Sequence, residues 1–235
     1  MRPVLNFCAG VLIACSASVA LADCVVLLHG LARTSSAMNP LEEALNEAGF
    51  ATVNRGYPSR DAVIQELAPL AVEEGISECP SDQSVHFVTH SLGGILVRYY
   101  LQNNELPRLG RVVMLAPPNQ GSEVVDKISW VPGYYLFNGP AGYQLGTDED
   151  SIPLNLGPVE FELGIIAGSK TVNPILSQYL ENPDDGKVSV ENAKVEGMDD
   201  FIVVPHSHTF LMRADVVIEQ TLLFLQEGRF DYVAE

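Results

Sequence analysis

Six short runs of the sequence are apolar almost throughout, at 24–28 (CVVLL), 51–54 (ATVN), 85–90 (VHFVTH), 111–115 (RVVML), 163–167 (LGIIA) and 201–204 (FIVV). A strand with one face in water alternates apolar and polar residues. A strand covered on both faces does not, and that is the condition of a parallel sheet sandwiched between helices. The segments between the runs carry helical spacing. In the first of them, Asn39-Pro40-Leu41-Glu42 offers an N-cap, a proline at the first helical position and a capping-box acid. Leu41, Ala44, Leu45 and Ala48 then recur at i, i+3, i+4 and i+7, and Gly49 can end the helix. Further helices are expected at about 60–74 (kinked or broken at Pro69), 92–103, 122–129, 172–180 and 210–226. Strand–helix alternation of this kind implies right-handed crossovers between parallel strands. The expectation is an α/β fold with a mostly parallel sheet of about six strands.

One stretch breaks the rhythm. Residues 117–160 are rich in Gly and Pro and contain Trp130, Tyr134, Tyr135, Phe137 and Tyr143. A connection this long inside a compact domain is functional or disordered. Its aromatic content favours an ordered cap over a binding site, the alternative being a surface excursion packed on itself.

Residues 1–22 read as an export signal. Arg2 is the one charge, an apolar stretch runs from Val4 to Leu21, and Ala20-Leu21-Ala22 fits a small-x-small cleavage pattern, so the mature chain is expected to start at Asp23. Asn6, Ser16 and Ser18 interrupt what a membrane anchor would need. Leu12-Ile13-Ala14-Cys15 also resembles a bacterial lipoprotein box, which would anchor the chain through Cys15. Of the four cysteines, Cys24 and Cys79 lie beyond the signal. An exported chain sits where disulfides persist, and Cys24 opens the first strand while Cys79 just precedes the third. If those strands are parallel neighbours, their starts lie within disulfide reach. Two cysteines at this spacing match no zinc pattern. The remainder, 23–235, reads as one domain, expected to be a monomer. The full chain's net charge of −17, which becomes −18 without Arg2 (12 basic against 30 acidic residues), repels phosphate backbones and anionic surfaces, so a nucleic-acid partner is not expected.

Between the third apolar run and the helix after it stands Thr89-His90-Ser91-Leu92-Gly93-Gly94. This resembles the nucleophile elbow, G-x-S-x-G, of α/β-hydrolases, and it follows a strand and opens a helix as that motif does. Thr89 departs from the pattern, standing where glycine is usual. The plainer alternative is a serine N-cap on a glycine-rich turn. Leu27-Leu28-His29-Gly30-Leu31 resembles the H-G oxyanion loop of the same family, which implies the N–H groups of Leu31 and Leu92 as oxyanion donors and His29 as a loop-shaping residue.

The family's order of nucleophile, acid, then histidine directs attention downstream. His206 and His208 lie after the last strand, and His208 is chosen because Thr209-Phe210-Leu211 resembles the family's histidine loop, with His206 as the fallback. Asp185-Gly186-Lys187-Val188 resembles the D-G-x-V segment that carries the acid in bacterial triacylglycerol lipases. Asp184 is its near rival, and Asp199 and Asp200 sit at the wrong end of a strand. The calcium-binding aspartate after the histidine of those larger lipases is replaced by Thr209 and Phe210, so no metal and no cofactor is expected. "MLAPPNQGSEVVD" at 114–126 is also family-like, with Ser122 as a helix N-cap. The resemblance spans about 24–227 and is closest to small lipases and esterases lacking the first two strands. It implies an exported serine hydrolase acting on a small-molecule ester or lipid. A thioesterase or acyltransferase using the same triad, or a non-catalytic binding protein on the same fold, are the other classes the sequence admits.

Overall fold

The computed structural model describes residues 23–231. The candidate signal peptide and Cys15 lie outside the described residues. Six strands form one sheet, β1 Cys24–Leu28, β2 Ala51–Val53, β3 Val85–His90, β4 Leu109–Leu115, β5 Leu163–Gly168 and β6 Asp200–Val204, in the order β2-β1-β3-β4-β5-β6. Every neighbouring pair is parallel. The helices are α1 Asn39–Glu47, α2 Ile64–Glu78, α3 Leu92–Asn103, α4 Glu123–Ile128, α5 Tyr134–Tyr143, α6 Ile152–Asn155, α7 Pro174–Ser177 and α8 Asp215–Glu227.

The continuous apolar runs are explained by burial on both faces: all residues of β1, β3 and β5 are buried. Successive side chains of a strand point to opposite faces. Val26, Leu28 and Phe87 accordingly pack with Leu67 and Val72 of α2 and Ile95 and Leu96 of α3. Val25, Leu27 and Val88 pack on the other side with Leu41 and Leu45 of α1 and Val217 and Phe224 of α8. Each fully buried Leu or Phe contributes about 1.5–3 kcal/mol through removal of apolar surface from water.

Several helices differ from their expected bounds, and α8 begins only at Asp215, after a short 3-10 turn at Leu211–Arg213. α2 begins at Ile64 and runs through Pro69 without being divided. Proline there forfeits a backbone donor, but Ile64, Leu67, Ala68, Ala71 and Val72 are all buried against the sheet, and that burial outweighs the loss. The helix expected over 172–180 is one turn, Pro174–Ser177, with no buried residue. Val172 and Ile175 are both 68% exposed, so no apolar face supports a longer helix. Asn39 is not an N-cap, because a short 3-10 turn, Ser35–Met38, leads directly into α1.

Cys24 and Cys79 form a disulfide with Cα atoms 5.8 Å apart. β1 and β3 are parallel neighbours, as the pairing required. The parallel arrangement also brings the C-terminal ends of β1, β3, β5 and β6 to one edge, and the loops leaving that edge build the site.

Candidate active site

Ser91 occupies the turn between β3 and α3 with φ 53° and ψ −119°. Positive φ is uncommon for a side-chain-bearing residue and costs roughly 1–3 kcal/mol. The surroundings hold it there. Ser91 N–H donates to Leu115 O (2.9 Å), and Gly94 N–H donates to Ser91 O (3.0 Å). The turn also draws the start of α3 against the end of β1, where a Cβ on Gly93 would lie 2.6 Å from Leu28 O. Thr89 fits without the usual glycine because Gly94 makes room for it: a Cβ at Gly94 would lie 3.2 Å from Thr89 Oγ1. The second glycine of the motif thus accommodates the residue that departs from it.

Asp185 and His208 meet in two loops, one following α7 and one following β6. His208 Nδ1 lies 2.7 Å from Asp185 Oδ2, and both side chains are buried. A carboxylate accepts, so Nδ1 carries the proton and Nε2 presents a lone pair. The other Asp185 oxygen accepts from the N–H groups of Lys187 (2.9 Å) and Val188 (2.8 Å). Asp185 O accepts in turn from His208 N–H (3.0 Å), so backbone and side chain fix the two loops together. The rival residues are engaged elsewhere. Asp184 accepts from Ser177 Oγ and Gly186 N–H, Asp199 from Leu163 N–H, and Asp200 from Phe201 and Phe230 N–H. His206 does not line the cavity that Ser91 and His208 share; its main-chain N–H donates to Val204 O.

Ser91 and His208 line one cavity of about 210 Å³. Among the described residues neither Ser91 Oγ nor His208 Nε2 has a hydrogen-bond partner, so both remain available to a bound molecule. Ser91 Oγ and His208 Nε2 are not hydrogen-bonded to each other here; bonds between a nucleophile and its base commonly form fully only with substrate bound. Leu31 lines the same cavity, and Leu92 is the first residue of α3. Among the described residues no acceptor is paired with the N–H of Leu31 or of Leu92. The loop carrying Leu31 is held firmly. His29 Nε2 accepts from Tyr57 N–H (3.3 Å), which leaves Nδ1–H to donate to Gly30 O (2.9 Å). Tyr57 OH donates to His29 O (2.6 Å), and the two rings stack 4.2 Å apart. Burial pushes the His29 pKa down, so the ring is held neutral as a shaping element. Ala32, at φ 54°, is fixed by its N–H donating to Ser59 Oγ (3.1 Å).

The segment 117–160 supplies much of the cavity wall through Val124, Val125, Ile128, Tyr134 and Leu145. Its outer side is apolar as well, with Trp130 77% and Leu136 75% exposed. Ser122 precedes α4 but does not cap it through its side chain; its Oγ donates to Lys187 O (2.6 Å), tying this segment to the loop that carries Asp185. A larger cavity of about 740 Å³ lies beside the C-terminal end of α3, lined by Arg98, Gln102 and Phe161, with neither serine nor histidine in its wall. Among the described residues no cluster of His, Cys, Asp and Glu has the makings of a metal site.

The model of the alpha/beta hydrolase family matches residues 25–218. The chain belongs to the alpha/beta hydrolase family. Among curated proteins no sequence relative matches it. Among solved structures, this hydrolase is similar to the mature form of the Bacillus licheniformis lipase BlEst2, at 21% identity and a TM-score of 0.67 over 88% of this chain and 93% of that one. It is similar to the metagenomic carboxyl esterase MGS0156, at 18% identity and a TM-score of 0.61 over 82% and 66%. It is also similar to the Staphylococcus hyicus lipase, at 12% identity and a TM-score of 0.60 over 88% and 96%. At these identities the likeness is one of fold.

Three features of the hydrolase site escaped sequence reasoning. His90 reaches the main-chain carbonyl of His208 with its side chain. Arg33 and Lys187 both line the cavity. Each lies two residues past a residue that was chosen, Leu31 and Asp185, yet a lone cation in a loop carries no sequence signal of its own.

Proposed function

We propose that this hydrolase cleaves carboxylic esters through an acyl-enzyme intermediate. Ser91 Oγ attacks the acyl carbonyl while His208 Nε2 takes its proton. Asp185 keeps the proton on His208 Nδ1 and stabilises the imidazolium as it forms. The N–H groups of Leu31 and Leu92 stabilise the negative oxygen of the tetrahedral intermediate, the second with help from the N-terminus of α3. His208 then delivers the proton to the leaving alcohol, and a water activated by the same nitrogen releases the acid. The observation that carries this reading is the buried 2.7 Å contact between Asp185 and His208, whose ring lines the cavity onto which the strained Ser91 turn opens. The apolar wall suits an acyl chain.

Export belongs to the same proposal. It is supported by the pattern of residues 1–22 and by the Cys24–Cys79 disulfide, a bond that persists in oxidising compartments.

The test is turnover of a short-chain p-nitrophenyl ester by the wild type and by Ser91→Ala. The variant is expected to lose roughly 10⁴–10⁶-fold in kcat. Retention of turnover in a folded variant would refute Ser91 as nucleophile.

A further inference from the structure

The cavity wall contains two cations, Arg33 and Lys187, and no aspartate or glutamate. In a chain with 13 basic and 30 acidic residues this is a local inversion of charge. Among the described residues neither cation forms an ion pair. Arg33 Nη2 donates only to the neutral Thr209 Oγ1 (3.3 Å), and Lys187 Nζ makes no hydrogen bond. The two are near enough to feel each other. Although Lys187 keeps part of its surface in water, the crowded rim pushes its ammonium pKa down, and Arg33 adds to that; Asp185 opposes it. Asp185 is nonetheless committed, with one oxygen on His208 and the other on two N–H groups. Arg33 and Lys187 are both exposed at the cavity rim, and the one carboxylate acting on Lys187, Asp185, is already bonded to His208 and two N–H groups, so the pair forms a positive edge open to an anionic ligand.

We propose that Arg33 and Lys187 form an anion subsite for a phosphate or carboxylate carried on the alcohol portion of the ester. This rests on the ester-hydrolase reading and specifies its substrate class. The placement follows from the chain. Arg33 is bonded to Thr209, next to His208, Lys187 lies two residues beyond Asp185, and both share one cavity wall with the imidazole that hands its proton to the leaving alcohol. Val124, Val125, Ile128 and Leu145 are left to receive the acyl chain. Arginine suits this role because its planar fork matches two oxygens of one anionic group, while lysine adds a point charge. The anion takes no part in the chemistry. The acyl C–O bond breaks, the alcohol departs with the proton from His208, and the charged group leaves with it unchanged.

The test separates binding from turnover. Calorimetric titration of the full chain with glycerol 3-phosphate, D-glycerate and glycerol is expected to show saturable binding of at least one of the two anions and none of glycerol; the first two distinguish phosphate from carboxylate. The Arg33→Gln/Lys187→Gln double variant should bind that anion at least about tenfold more weakly, the value of one lost charge-assisted contact. Lys187→Arg should retain binding. In turnover, the kcat/KM ratio of 1-butyrylglycerol 3-phosphate to 1-butyrylglycerol should fall in the double variant, chiefly through KM, and should fall in the wild type as salt is added. Absence of saturable anion binding by the wild type, or equal binding by a double variant with an unchanged melting temperature, overturns the subsite. If 1-butyrylglycerol is cleaved in a Ser91-dependent way and no anion binds, the subsite falls and the reaction stands. If the anion binds through both cations and neither ester is cleaved, the subsite stands and the reaction falls.

Discussion

Nε2 of His90 lies 3.0 Å from the main-chain carbonyl of His208, and the two imidazole rings pack with centroids 4.8 Å apart. A carbonyl only accepts, so His90 carries its proton on Nε2 and fastens the residue beside the proposed nucleophile to the loop of the proposed base. Burial holds the His90 pKa well below its ordinary value, and the neighbouring His208 adds to this.

The stability of the protein should therefore depend on pH through its buried histidines. His29, His86 and His90 all have pKa values lowered from 6.5. Below pH 6.5 the unfolded chain takes up protons that the folded chain refuses, so stability present above that value is lost as pH falls. The slope is at most about 1.4 kcal/mol per pH unit for each group. Thermal unfolding followed from pH 7.5 to 5.0 should show a falling melting temperature, with a shallower fall in His90→Asn. An unchanged slope in that variant would contradict the assignment of His90.

Asp185→Asn should leave the protein folded and lower kcat by roughly 10⁴-fold with little change in KM, because the amide can no longer hold the imidazole tautomer. Asp184→Asn should instead lower the melting temperature through its contacts with Ser177 and Gly186, with kcat changed far less. The reverse pattern would make Asp184 the acid.

Gly30→Ala tests the spacing of the oxyanion loop. A Cβ at Gly30 would lie 2.7 Å from His90 Nδ1 and 3.2 Å from the Ser91 Cβ, so the loop must retreat from the serine. Activity is expected to fall by more than the cost of overpacking, about 1–3 kcal/mol, would explain. Parallel measurement of melting temperature and kcat separates the two effects.

Reduction of the Cys24–Cys79 bond, which spans 55 positions, should cost about 4 kcal/mol by the loop-entropy relation. Denaturant unfolding with and without reductant measures it, and equal midpoints would show that the bond contributes nothing.

The strands were legible because burial on both faces leaves an unbroken apolar run, and five of the six begin within a residue or so of their expected starts. α3 matches its expected 92–103 span because a glycine turn starts it sharply. The α7 region misled because its apolar residues face outward, and apolar periodicity does not reveal which side a helix buries. Within the candidate site, Ser91, Asp185 and His208 were expected from local motifs, and the structure brings Asp185 against His208 and places His208 and Ser91 in one cavity wall. His90 reaching His208, and Arg33 and Lys187 lining one cavity, are long-range relations, set by how β1, β3 and the late loops come together.

The most direct measurement is mass mapping of the adduct formed with a fluorophosphonate, in the wild type and in His208→Ala. A single adduct on the peptide containing Ser91, formed far more slowly in the variant, is the predicted result. Labelling at another residue, or labelling of Ser91 at the same rate without the imidazole, would contradict the account.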